Sequence, residues 1–123
     1  MSKIKVWDQK IEINIKFPDV IYNKYLKKIN RLGNYRLELN DIEVIFDLVY
    51  KDFKSGKISL DIFAEISNHL WYEIIHLKKD KNKLFDVLHE ASELNFCIRV
   101  VTKQNSGNLI QFLADIDEYF KNH

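Results

Sequence analysis

Glu73-Ile74-Ile75-His76 sets a carboxylate and an imidazole three residues apart, and His69 stands four residues before Glu73. On a helix the three side chains share one face. Di-iron bundles present ligands with this E-x-x-H spacing, but they need two such motifs and two further glutamates, and this chain has only one. His89 and Glu93, again four apart, could complete a His/Glu metal cluster if their face met the first. The simpler expectation puts His69, Glu73 and His76 on the solvent side of their helix, with no cofactor.

The other chemical candidates are thinner. Cys97 is the only thiol, and a nucleophilic role would need a base supplied by tertiary structure. It is expected to be a small buried hydrophobe. Residues 51–62 resemble a calcium loop at Gly56, Ile58 and Ser59, yet Lys51, Phe53 and Ile62 stand where calcium needs oxygen ligands and a closing glutamate. A corner between two helices accounts for these residues. There is no Gly-rich phosphate loop, G-x-S-x-G elbow or zincin helix, so an enzyme is not expected.

Charge is more informative. The net charge is only +1, but residues 1–36 hold nine Lys/Arg against three acids, and residues 37–123 hold ten against fifteen. In the basic part, Tyr22, Tyr25 and Tyr35 alternate with Lys24, Lys27, Lys28, Arg31 and Arg36. Cations on phosphates and tyrosines stacked on bases would suit RNA or single-stranded DNA, although Tyr22 and Tyr25 also fit an apolar stripe. In the acidic part, Glu38, Asp41, Glu43 and Asp47 lie on or just before one predicted helix, and Asp115, Asp117 and Glu118 lie on another. These patches suit a basic protein partner, because complementary charge speeds encounter and selects the partner. A protein partner is the favoured expectation; nucleic acid bound by Lys24, Lys27, Lys28, Arg31 and Arg36 is the alternative.

The elements that must position these groups follow from periodicity. Ile11, Ile13, Ile15 and Phe17 alternate with polar residues, which predicts a strand over 11–17, and Ile4 and Val6 suggest a hairpin before it. Pro18 ends the strand. Asp19 opens a helix carrying Ile21, Tyr22, Tyr25, Leu26, Ile29 and Leu32 up to Gly33. A second helix starts at Asn40, with Glu43 completing a capping box and Gly56 past its end; its broad apolar arc predicts a central position. Ser59 caps a third helix reaching about Leu77. Leu84, Val87, Leu88, Ala91 and Leu94 build a fourth, whose end is ambiguous because residues 98–102 are rich in β-branched side chains. Residues 104–107 read as a loop, and Asn108 with Gln111 as the start of a last helix.

The expected fold is therefore mainly α: one domain over residues 1–123, with about five helices and a small amino-terminal β element. The alternative is α+β, with residues 96–102 as a strand pairing with 11–17. At 123 residues, 46% hydrophobic and with three glycines and one proline, the chain can build one ordinary core. One cysteine leaves no internal disulfide. No apolar run spans a bilayer, and a cytoplasmic location without a signal segment is expected. An exposed strand edge could also mediate dimerisation, and the sequence leaves the oligomeric state open.

Phe53-Lys54-Ser55-Gly56-Lys57-Ile58-Ser59-Leu60-Asp61-Ile62-Phe63, followed by Leu70-Trp71, resembles the second helical corner of small bacterial toxin-immunity proteins of the colicin D immunity type. The resemblance covers a small fraction of the chain. It implies a compact helical protein that inhibits a nuclease toxin by covering its basic active site with acidic side chains. No individual functional residue is carried over.

Overall fold

The computed structural model describes residues 11–12, 16–33, 36–77, 83–101 and 103–122. Five helices run through them: α1 (Asp19–Lys28), α2 (Leu39–Lys54), α3 (Leu60–His76), α4 (Lys83–Arg99) and α5 (Lys103–Lys121). Two short strands, β1 (Ile11–Glu12) and β2 (Val100–Val101), pair antiparallel with Ile11 opposite Val101 and Glu12 opposite Val100. The fold is a mainly α bundle.

Helix boundaries follow local chemistry. Pro18 can precede α1 because its missing N–H is no loss there, and its carbonyl accepts the Tyr22 N–H at 2.9 Å. The helix stops at Lys28, well before Gly33. Asn30 takes a left-handed φ of 60°, the Arg31 N–H donates to the Leu26 carbonyl at 2.8 Å, and the Asn30 N–H donates to the Lys27 carbonyl at 3.1 Å. This paired closure is a Schellman end, and asparagine serves where glycine is usual. Helix α2 closes in the same way at Gly56 (φ 84°), with the Lys57 N–H donating to the Asp52 carbonyl at 2.8 Å. Ser59 then precedes α3 in an extended conformation, so residues 55–59 form the expected helical corner.

Other boundaries depart from expectation. The cap of α2 is not Asn40 with Glu43 but Glu38, whose backbone N–H donates to the Asp41 carboxylate at 2.9 Å. Helix α4, by contrast, continues to Arg99 as the helical reading of its end has it, and of the alternative strand over 96–102 the described residues that pair with Ile11 and Glu12 are Val100 and Val101. Residues 104–107 are not a loop: α5 begins at Lys103 and runs through them. The proposed hairpin at Ile4 and Val6, and residues 13–15 of the predicted strand, lie outside the described residues.

Nearly all buried apolar side chains among the described residues form one cluster. Its centre is α3 and α4 rather than α2: α3 and α5 both pack along α4, α2 lies on α3, and α1 lies on α2. Between two neighbours, α3 encloses Phe63, Ala64, Ile66, Ser67, Leu70 and Ile74 completely. Aromatic rings bring α5 back to α2: Phe120 stacks on Tyr50 with ring centres 3.8 Å apart and contacts Phe46 at 5.0 Å. None of the helices, searched over the described residues, is long and apolar enough to cross a membrane.

Candidate protein-interaction surface

Where α5 returns against α2, it carries Tyr119 and Phe120 into a region rich in carboxylates. Two adjoining grooves result. The first, about 320 Å³, lies between α4 and α5 and is lined by Asp86, Glu90, Asp115 and Glu118 with a single lysine, Lys83. The second, about 270 Å³, lies between α2 and α5 and is lined by Glu43, Asp47, Val44 and Phe120. Tyr119 lines both. Among the described residues, six acids from three helices thus flank one tyrosine, against one lining cation.

The electrostatics follow the geometry. Burial first, and then the charges of Glu43 and Asp47, push the Tyr119 hydroxyl above its ordinary range, so it stays protonated. The Glu90 carboxyl is also raised, chiefly by burial and then by the Asp115 carboxylate. Its Oε2 is enclosed and has no hydrogen-bond partner among the described residues. A cation entering the first groove would offset both effects and favour the ionised acid. Asp115 accepts a bond from Gln111 Nε2 at 2.9 Å and Glu118 one from Asn122 Nδ2 at 2.9 Å, contacts that orient both carboxylates without neutralising them.

The acids expected from sequence therefore divide. Glu43, Asp47, Asp115 and Glu118 come together, although Asp47 shares its charge with Lys51 at 2.9 Å. Asp41 must be removed from the set. It is 8% exposed, caps α2 and accepts the Arg31 Nε–H at 3.1 Å. Asp117 has a framework task as well, accepting bonds from the Tyr50 hydroxyl at 2.6 Å and Lys54 Nζ at 3.3 Å. Glu38 is exposed at the α2 cap and lines neither groove. Asp86 and Glu90 were missed, because acids along one amphipathic helix read as a solvated face until a neighbour closes over them.

The basic candidates divide too. Lys24, Lys27, Lys28 and Arg36 are exposed, but Arg31 is held by Asp41. Tyr22 and Tyr25 are buried, and the Tyr25 hydroxyl donates to Asp52 at 2.7 Å. They offer no stacking platform to bases. Lys28 Nζ lies 5.7 Å from the centre of the Tyr25 ring. Tyr35 lies outside the described residues.

The candidate metal ligands do not converge. Among the described residues no three His, Cys, Asp or Glu side chains are placed to hold a metal ion. His69 is only partly on the solvent side: its side chain is 37% exposed, its ring packs on Phe17 and Tyr22 at 5.1 and 4.9 Å, and its Nε2 lies 3.3 Å from Glu73 Oε2. Burial lowers its pKa, opposed by Glu73 and Asp19. His76 is exposed beside Arg36. His89 meets the Trp71 ring edge-on at 5.0 Å and lies 3.6 Å from Glu93. Cys97 is buried, and burial followed by the Glu93 charge raises its thiol pKa, which disfavours the nucleophilic thiolate. Comparison with protein-family models, curated proteins and solved structures finds no match for this chain.

Proposed function

We propose that the chain is a non-enzymatic protein-interaction module that offers its acid-lined surface to a basic partner, as an immunity or antitoxin-like inhibitor of a nuclease-type toxin would. One observation carries this reading: acids separated in sequence by up to 75 positions, from Glu43 to Glu118, gather from α2, α4 and α5 around Tyr119. A protein that grips phosphates presents lysines and arginines. A surface of opposite sign competes for those cations, and field complementarity raises the rate of encounter. Tyr119, Phe120 and Val44 add apolar and aromatic area beside the charges, the composition from which interface anchors are drawn.

The test is co-expression with the reading frame that adjoins the gene in its genome. If that frame arrests growth, the wild-type chain should restore it, and the triple variant Glu43→Lys, Asp47→Lys, Glu118→Lys should not, while remaining folded by circular dichroism. A triple variant that protects as well as wild type would sink the reading. So would a neighbouring frame without toxicity.

The second reading, nucleic-acid binding, rests on the exposed Lys24, Lys27 and Lys28 of α1. It requires RNA affinity that falls steeply with salt and disappears in Lys27→Glu, Lys28→Glu.

A further inference from the structure

A third cleft, about 360 Å³, lies on the seam between α3 and α4 and belongs to neither acidic groove. Its chemistry is different. Asn68 and Tyr72 of α3 face Ser92, Asn95, Phe96 and Arg99 of α4. Asn95 is 3% exposed, yet its Oδ1 has no hydrogen-bond partner among the described residues. An enclosed acceptor without a donor is destabilising, and such groups are uncommon unless something else satisfies them. Its neighbours are ready to act as donors. The Asn68 Oδ1 accepts from the Ser92 hydroxyl at 3.0 Å, which fixes the amide and leaves its NH2 side to donate. Arg99, about 39% exposed in its side chain, donates through Nη1 to the buried Glu65 at 3.0 Å. Two large aromatics, Tyr72 and Phe96, stand about half exposed at the rim.

We propose that this cleft binds an extended polypeptide segment of a protein partner, with Asn95 and Asn68 pairing with its backbone. A carboxamide carries one acceptor and a donor pair side by side, which matches the N–H and C=O of a peptide unit. Tyr72 and Phe96 supply apolar area for the segment's side chains. A nucleobase offers similar edges, but among the described residues no lysine lines the cleft, the charge of Arg99 is offset by Glu65, and Glu93 adds a negative charge against phosphate.

The test is selection of a phage-displayed library of random 12-residue peptides against the full chain, followed by titration of enriched peptides. Asn95→Ala is expected to weaken binding by about tenfold, the scale of one hydrogen bond to an enclosed group, while leaving thermal stability equal or higher. The exposed pair Tyr72→Ala, Phe96→Ala should weaken binding at least as much, and it serves if Asn95→Ala fails to fold. The acid reversals at Glu43, Asp47 and Glu118 should leave affinity unchanged, so this proposal and the acid-surface reading fail separately. No enriched peptide, or peptides insensitive to both cleft variants, would overturn it. Binding of a 12-nucleotide oligo-U that is sensitive to the same variants would reassign the cleft to nucleic acid.

Discussion

The α1 edge and the α3–α4 seam are both buried, but they are joined by different means. Along α3 and α4, enclosure is by Phe63, Ile66, Leu70, Ile74, Leu88 and Leu94, which are out of contact with solvent. At the α1 edge, Tyr22, Tyr25 and Leu26 are a few per cent exposed, and polar links supplement them: Tyr25 to Asp52, Arg31 to Asp41, and His69 between two rings. The seam is held chiefly by shape and transfer out of water, with the Ser92–Asn68 bond and the Arg99–Glu65 pair beside its enclosed core. The edge is held in part by groups that water and protons can compete for. A bundle built this way should lose its first helix before its centre, because local opening follows the weakest set of buried apolar contacts.

The largest effect should separate the two regions directly. Leu88→Ala removes atoms from a fully enclosed site and should lower unfolding free energy by about 3–4 kcal/mol, while Leu26→Ala, at the edge, should lower it by about 2 kcal/mol. Urea melts of the two variants test this; equal losses would mean that the edge is as tightly packed as the seam.

The ion pairs give the second contrast. Arg99→Ala strands Glu65, 5% exposed, without its partner and should cost about 2 kcal/mol, because loss of one member leaves an uncompensated charge. Arg31→Ala should cost about 1 kcal/mol or less, since Asp41 keeps the Glu38 N–H and the arginine was itself half exposed. Removing Arg99 together with its acid, as Glu65→Leu with Arg99→Leu, should recover most of the first loss; failure to recover it would mean that the pair itself stabilises the seam.

The smallest effect is one of pH. His69 has its pKa lowered in the folded chain, so on acidification the unfolded chain takes up a proton first, at about pH 6.5, and stability falls from there down to the folded value. Above that window the group contributes nothing to the slope. The protection factors of α1 amides, taken against intrinsic exchange at each pH, should therefore fall between about pH 7 and the lower value, with those of α4 unaffected, and His69→Gln should flatten the α1 response. An equal loss of protection in α4 would show that the edge and the seam open together.

Much of this fold was legible in the chain because amphipathic period is a local property. The stripes of α2, α3 and α4 identify those helices, and Gly56 marks the end of α2 at the residue where a left-handed turn is needed. The misses have physical causes. Asn30 closes α1 by the same turn, but Gly33 three residues on is the stronger local signal. Asn105, Ser106 and Gly107 have modest or poor helix propensity and are helical nonetheless, an instance of context overriding a weak preference. The acids were legible as a list and not as a place. Asp41 looked like one more surface charge because the cap was assigned two residues late, and Asp86 and Glu90 acquire their meaning only once α5 lies across them. The Asn95 oxygen, unpaired among the described residues, left no trace in the sequence, since satisfaction of a polar atom depends on every neighbour at once.

Tyr119 forms a party wall between two compartments, so a group seated in either one touches the ring that bounds the other. A single fluorine substituted on that ring would give one resonance reporting occupancy on either side, and a partner that seats a side chain in each would straddle the same ring.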